Sequence, residues 1–599
     1  MSKTVETPEN PPAKGLKRKK KRSANQMAKK LARRRDPGHG SELDSDSYQY
    51  MVRIMEVLRT DFPTMDDKLI FVNNVFEQTI AHEVDYAKNQ VGSLVLDTLM
   101  KYASLDVIQR MTDAFSPSLR PICSDRFASH VLEKIIQTCA DRGNRKCKSD
   151  PLNKNEVPIA EEEIEKYNDI TMKLSKYMIN NIEEFIYDTY ANHILRTSIH
   201  CLGGLIDKDG NDQKKKNLTL TQRREVIQDY TDLLLDAGNR LLRWPQFIEF
   251  GKDELTSGLL QTYLLTLKDV DPKLASSIIK KIISECFTEN SDDCLSNIFD
   301  AESSLRLLET CLASANPKMY SKIFKKLFEG RLKELSLMKG ANFCVQRLMD
   351  HCPTKEEFEA IFSEISEYFP EILGRQHTGV LSSLGSACLR LQAKQGPFVN
   401  VVAKGLKCDE PQERQLFLVP LAARLITYEQ FESAKRQGRS IPLHLHGSLI
   451  LQAILQFNKP IKIVNSMFSM DAEELAALFS DPKGSRILDA FMDSKFVGEK
   501  SRDKLAKQLK GHWVTLACGT HGSRCLDKIW QYSKDNQKIH IMEELAAAGE
   551  AMNSTKTGRL ISAKLNVSLF ARSRKEWSEA RGKEEKAKTL FASIIGNAK

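Results

Sequence analysis

The chemistry this chain advertises most openly is cationic, in two short runs near its start: LKRKKKR (Leu16–Arg22) and AKKLARRR (Ala28–Arg35). Lys17, Arg18, Lys19, Lys20, Lys21 and Arg22 are consecutive, and with the second run they form two basic blocks across a spacer. Such blocks serve as nuclear-localisation signals or as patches that neutralise nucleic-acid phosphates. No acid lies between Lys14 and Arg35, which favours that reading over a merely solubilising tail. Residues 1–40 hold 13 Lys or Arg against Glu6, Glu9 and Asp36, so they carry the whole net charge of +10, and the other 559 residues hold 76 bases and 76 acids. A neutral body attracts a polyanion only by segregating basic side chains onto one face.

Other chemistry is missing. The sequence has no Walker motif, GxGxxG, HExxH or GxSxG, so no catalytic residue and no nucleotide cofactor is expected. The 13 cysteines are dispersed without a CxxC pair or a Cys/His cluster, which points to neither disulfides nor a metal site and suits a reducing compartment. The most apolar stretch, Leu416 to Ile426, contains Pro420 and Arg424 and is too short to span a bilayer, so no membrane association is expected.

The elements that must position any binding side chains are helices. Residues 1–47, rich in Pro, Lys, Arg and Ser and without apolar periodicity, are expected to be a disordered basic tail. Beyond them the apolar residues recur at helical spacing, as in Leu69, Val72, Val75, Phe76 and Ile80, and no sustained alternation signals a strand. Polar stretches near 141–160 and 203–220 read as loops inserted between helices, and Gly438 to Pro442 makes a shorter break. The stretch Arg572 to Lys588 around Trp577 reads as a capping helix, within a C-terminal segment taken as 571–599.

One segment recurs: a small residue, two variable residues, two apolar ones, then a polar one, at the opening of a helix. Clear copies are GANFCVQR (Gly340–Arg347), HGSLILQA (His446–Ala453), KGSRILDA (Lys483–Ala490) and HGSRCLDK (His521–Lys528). With the residue after the small one as anchor, the copies fall at 93, 129, 192, 257, 305, 342, 378, 448, 485, 523 and 559. Six of the ten intervals lie within two residues of 36, and the intervals of 63 and 65 contain the polar insertions. The interval of 70 from 378 to 448 leaves room for a degenerate repeat or for longer helices. A unit of this size cannot bury its apolar face alone, so the copies must stack, with the same helix of each lining one surface.

A period near 36 with this helix signature resembles the Pumilio (PUF) family of RNA-binding proteins over nearly the whole chain after the tail. The resemblance implies an all-α, right-handed superhelical solenoid of about 11 repeats, C- or U-shaped, over 48–570. It also implies three side chains per repeat facing RNA: the anchor and the fourth residue after it at the edge of one base, and the residue after the anchor stacking on it. Positions i and i+4 share a helix face, with i+1 beside them. On this basis Asn342, Phe343 and Gln346 match the uracil-reading triplet, and Asn342 and Gln346 are expected to be exposed. Ser129 with Glu133 resembles the guanine pair, with His130 stacking, and Ser257 with Gln261 and Ser448 with Gln452 resemble adenine readers. Arg486 beside Ser485 and Arg524 beside Ser523 sit where a guanidinium lies on a base. Asn192 with His193, and Ser93, occupy the same phase without matching a standard pair, while Gly258 and Gly379 offer nothing to stack.

The number of repeats, the insertions after the second and third, and the basic tail are most similar to the nucleolar protein nine family of Pumilio-like proteins. That resemblance implies a nuclear and nucleolar, monomeric factor of small-subunit biogenesis, with preribosomal proteins as neighbours. Its implied ligand is pre-18S rRNA, single-stranded or partly structured, near the 3′ processing region, where the family holds back premature cleavage. Two alternatives are a HEAT- or armadillo-like protein adaptor, whose repeats run to about 40 to 47 residues, and a binder of structured nucleic acid through backbone contacts alone.

Overall fold

The paired apolar residues of the repeated segment form the core. Val95 and Leu96, Ile194 and Leu195, and Ile487 and Leu488 are all closed to solvent, each side chain contributing about 1.5–3 kcal/mol relative to exposure. In the computed structural model, which describes residues 39–60, 62–145, 159–205, 223–287, 299 and 301–583, every anchor lies within the first four residues of a helix. These helices are α1 (Gln90–Met100), α2 (Ala128–Gly143), α3 (Ala191–Leu202) and α4 (Glu254–Leu267). They continue as α5 (Glu302–Ser314), α6 (Asn342–His351), α7 (Thr378–Leu391) and α8 (Leu445–Leu455). The last three are α9 (Gly484–Asp493), α10 (Gly522–Tyr532) and α11 (Lys556–Leu565).

The chain divides into two compact units, residues 1–278 with α1–α4 and residues 279–599 with α5–α11. Within the first, α1 packs on α2, α2 on α3 and α3 on α4. Within the second, α5 through α10 stack in chain order, and α11 rests on the short helix Trp513–Cys518 as well as on α10. A typical repeat is a short helix such as Phe369–Gly374, the anchor helix, then a longer outer helix such as Gln395–Gly405. Among the described residues no strand forms, only the isolated bridges Gly40–Asn89 and Leu205–Arg223.

In five of the helices the residue before the anchor is glycine, and there its smallness has a steric cause. A Cβ on Gly484 would lie 1.8 Å from the carbonyl oxygen of Leu478, at the end of the preceding short helix. Gly92, Gly522 and Gly558 meet the carbonyl six residues upstream in the same way. At Gly447 the carbonyl belongs to Ala422, far further back. The chain between is the additional helix Tyr428–Arg436, closed by a capping box of Thr427 and Gln430. The 70-residue interval therefore holds an inserted outer element and no hidden repeat: α7 packs directly on α8.

A second recurring device stands four residues before the anchor. Asp125 Oδ1 accepts from the N–H groups of Phe127 and Ala128, both at 2.8 Å. Asn89, Asp188, Asp253 and Asp481 cap their helices in the same pattern. Each such cap contributes about 1 kcal/mol. The basic runs and most of both polar insertions lie outside the described residues. Where the chain returns from the second insertion, Arg223 donates to the carbonyls of Gly203 (3.0 Å) and Leu265 (2.6 Å). At the far end residues 574–583 are helical. Trp577 is buried there, donating to the Leu565 carbonyl at 2.9 Å with its ring edge-on to Phe570.

Candidate nucleic-acid interface

One gradient of exposure repeats along α1–α11. The anchor is buried in every helix except α11, where it is Arg559. The residue after it is exposed in eight of the eleven, and the fourth residue is half-buried in nine. The surface thus presents, per repeat, one projecting side chain beside a half-sunk polar group. No described group of three His, Cys, Asp or Glu converges as a metal site would, and no described helix is long and apolar enough to cross a membrane.

The structure corrects the expected exposure of Asn342. Its side chain is 4% exposed because it closes the start of α6, Nδ2 donating to the carbonyls of Met338 (3.1 Å) and Lys339 (2.6 Å). Gln346 is half-buried and donates from Nε2 to Asn342 Oδ1 at 3.0 Å, while Phe343 projects with 53% exposure. The same clasp appears in α4, where Gln261 Nε2 donates to Ser257 Oγ at 3.0 Å, and in α8, where Gln452 Nε2 donates to Ser448 Oγ at 2.9 Å. In all three the fourth-position amide is fixed by the anchor one turn earlier, so a planar hydrogen-bonding edge is set before any ligand arrives.

The two glycines expected to offer nothing have a positive role. A Cβ on Gly379 would come within 2.6 Å of the Gln346 carboxamide, so the glycine in α7 leaves room for the reader of α6. Gly258 does the same for Arg196 of α3, whose guanidinium would lie 3.1 Å from a Cβ there and donates from Nε to Thr262 Oγ1 at 3.0 Å. Burial lowers the Arg196 pKa, opposed by Glu133.

Glu133 of α2 accepts from Thr197 Oγ1 at 2.6 Å and lies 3.8 Å from His130 Nδ1. Burial pushes its carboxyl upward, but His130 and Thr197 outweigh that and leave it below the ordinary range. His130 is exposed, and the carboxylate beside it raises its pKa. Ser129 is buried beneath this pair. Asp97 and Glu309, the fourth residues of α1 and α5, are raised by burial, partly offset by Lys134 and His130 in the first case and Arg347 in the second. Asn192 is fully buried, donating to the Ile186 carbonyl at 2.9 Å, with His193 exposed beside it. Ser93 is buried, its hydroxyl directed to the Gln90 carbonyl at 3.3 Å.

In α9 and α10 Ser485 and Ser523 are buried, Arg486 and Arg524 are exposed, and the fourth residues are Asp489 and Asp527. Asp489 pairs with Arg486 at 3.3 Å, and Asp527 with Lys564 of α11 at 2.8 Å. The glycine spaces, the Thr197 hydroxyl and the Asx caps are functional features that the structure adds. Only the caps had a readable signal, an Asp or Asn four residues before the anchor.

Comparison with known proteins agrees with this construction. Human Nucleolar protein 9 is 25% identical over 93% of this chain and 92% of its own length, and Pumilio homolog 23 of Arabidopsis thaliana is 23% identical over 93% and 76%. The solved structure of APUM23–GGAUUUGACGG superposes with a TM-score of 0.70 at 22% identity, covering 90% of this chain and 99% of that one, which shows a common fold. The family model for the NOP9-like PUF repeat domain matches residues 81–560, and the chain, an all-α stack of PUF repeats built as that match requires, belongs to this family.

Proposed function

We propose that this protein is a nucleolar RNA-binding factor of small ribosomal subunit biogenesis that engages pre-18S rRNA near its 3′ processing region and restrains its cleavage. The observation that carries RNA binding is the gradient itself: in helix after helix an exposed stacking group stands beside a hydrogen-bonding group held in place by its neighbours. A base needs a planar partner for its face and donors or acceptors for its edge, and Phe343 with the Asn342–Gln346 clasp supplies both. His130 with Glu133, Arg486 with Asp489 and Arg524 with Asp527 are the corresponding sets elsewhere.

Two further observations support the reading. The APUM23 structure holds an RNA of eleven nucleotides, as many as this chain has anchor helices. Relatives from human to fungi carry the name Nucleolar protein 9, which supports nucleolar residence here; the basic runs within residues 1–40 would supply import. The protein acts as a monomer within early preribosomal particles, without catalysis of its own.

In-cell crosslinking with sequencing of the bound RNA tests this directly. A peak in the 18S precursor near its 3′ end is the expected result, whereas RNA scattered without a peak, or none, moves the weight to a protein-binding solenoid. Removal of residues 1–40 should disperse the protein from the nucleolus; retention there would place the targeting in the repeats.

A further inference from the structure

The outer helix Glu499–Gln508, which follows α9, buries Leu505 and Ala506 and leaves Lys500, Lys504 and Lys507 exposed. These three fall at i, i+4 and i+7, so they form one stripe about 10 Å long at 1.5 Å per residue. Lys495 and Lys510, also exposed, flank the helix in the chain. The two acids of the same stretch, Glu499 and Asp503, both pair with Lys534, at 4.0 and 3.4 Å. Among the described residues, therefore, none of the five lysines has a carboxylate partner.

The neighbouring outer helices add no free acid. Ile461–Ser469, on one side, carries Lys462 and no carboxylate; Lys504 Nζ lies 4.3 Å from the Phe468 ring there, and Gln508 donates to the Phe468 carbonyl at 3.3 Å. Asp535–Ala547 is on the other side, with Gln537 donating to the Asp503 carbonyl at 2.9 Å. Its Asp535 is paired with Arg581 and its Glu543 with Arg574, while Glu544 accepts from the N–H groups of Gly511 and Trp513, both at 2.7 Å. The stripe is thus a braced helix face whose positive charge no adjacent carboxylate cancels. The exposed Lys318, Lys322 and Lys325 of residues 317–328 are placed otherwise: Ser321 donates to Glu357 of Lys355–Ser366, which also carries Glu356 and Glu359.

The kind of cation decides what the face can hold. Arg502, the one guanidinium of the helix, is turned away, donating to the Ser494 carbonyl at 2.7 Å and lying 4.9 Å from the Tyr532 ring. What remains is ammonium alone, a point charge that neutralises phosphates without reading base edges. An RNA already held by the anchor helices would bring its flanking phosphates to such a face at high effective concentration, so weak contacts there become productive. We infer that Lys500, Lys504 and Lys507 form a second RNA contact, on the outer layer rather than on the anchor helices, which binds the backbone phosphates of a segment flanking the anchored bases, independently of its sequence. This rests on the RNA-binding reading above.

Fluorescence anisotropy on the full-length protein tests it, with random-sequence single-stranded RNAs of about 12 nucleotides, enough for one base per anchor helix, and of about 40. Changing Lys500, Lys504 and Lys507 together to Gln should leave the short RNA bound as before and weaken the long one. The slope of log affinity against log salt for the long RNA should become shallower by about 2, at about 0.7 for each lost phosphate contact. Changing the same three to Arg should restore wild-type binding, and changing Lys318, Lys322 and Lys325 to Gln, an equal loss of charge, should alter neither RNA. Circular dichroism verifies that each variant is folded. Unchanged binding of the long RNA by the first variant, equal losses from the two Gln triples, or an equal loss on short and long RNA overturns the second contact and leaves RNA binding standing. Retention of neither RNA by the wild type overturns both.

Discussion

α6 and α9 place their readers on the same scaffold and fix them by different forces. In α6 a neutral carboxamide is held by a neutral hydrogen bond to a buried anchor, Gln346 to Asn342, and the neighbouring repeat yields space for it through Gly379. In α9 a carboxylate is held by an ion pair with the exposed Arg486, and the glycine of that segment, Gly484, makes room for backbone instead. The comparison separates two duties. In five of the eleven helices the position before the anchor is a demand of folding, a glycine set against a backbone carbonyl, while the fourth position is free to differ as long as something fixes it.

The largest expected effect comes from confusing those duties. Gly484→Ala brings a Cβ against the Leu478 backbone carbonyl at 1.8 Å, where nothing flexible can yield. It should cost about 3 kcal/mol or more in urea unfolding. Gly379→Ala meets only the tip of Gln346. It should leave stability within about 1 kcal/mol while lowering RNA affinity by displacing the reader. Equal stability losses for the two would erase the distinction.

Next comes Asn342. Its burial and its bonds to Met338 and Lys339 predict that Asn342→Ala destabilises by about 1–3 kcal/mol, the range for losing two intramolecular hydrogen bonds. Phe343→Ala, at an exposed position, should not move the unfolding midpoint and should weaken RNA binding by about 1–3 kcal/mol, as loss of a stacking partner does. A thermally silent Asn342→Ala would show that the anchor serves the ligand alone.

How much of this could be read beforehand follows the same division. Helices, stacking and the eleven anchors were legible because burial of apolar pairs such as Ile487 and Leu488 imposes a period that survives in the sequence. The residue before the anchor was seen to be small, but its cause, a carbonyl six residues away in the chain and in contact in space, appears only in three dimensions. The burial of Asn342 was misjudged for a related reason: a polar residue in a first helical turn looks exposed until the preceding carbonyls that it satisfies are located. The long interval before Ser448 was undecided because its length alone admits either a further repeat or an insertion, and Tyr428–Arg436, a helix that buries none of its side chains, is the insertion. The caps at Asp125, Asp188 and Asp481 were legible and went unread.

α2 stands between the two cases, and it gives the smallest and most pH-dependent effect. Glu133 is fixed both by a neutral donor, Thr197, and by a titrating one, His130. The His130 pKa is raised in the folded protein by the carboxylate beside it, so its contribution to stability is present in full below its unfolded value near 6.5 and is lost as pH rises through the folded value. Glu133 is shifted the other way: burial is outweighed by His130 and Thr197, and its contribution is present above about 4.5 and lost as pH falls through its lowered folded value. The pair therefore helps most between about pH 4.5 and 6.5. His130→Ala should destabilise by less than about 1 kcal/mol, given an exposed imidazole, with a larger loss at pH 5.5 than at pH 8.5 in paired urea titrations. Asn342→Ala, which removes only neutral bonds, should show the same loss at both. A His130→Ala loss independent of pH would mean that Thr197 alone holds the carboxylate, and that α2 belongs with the neutral readers rather than between the two kinds.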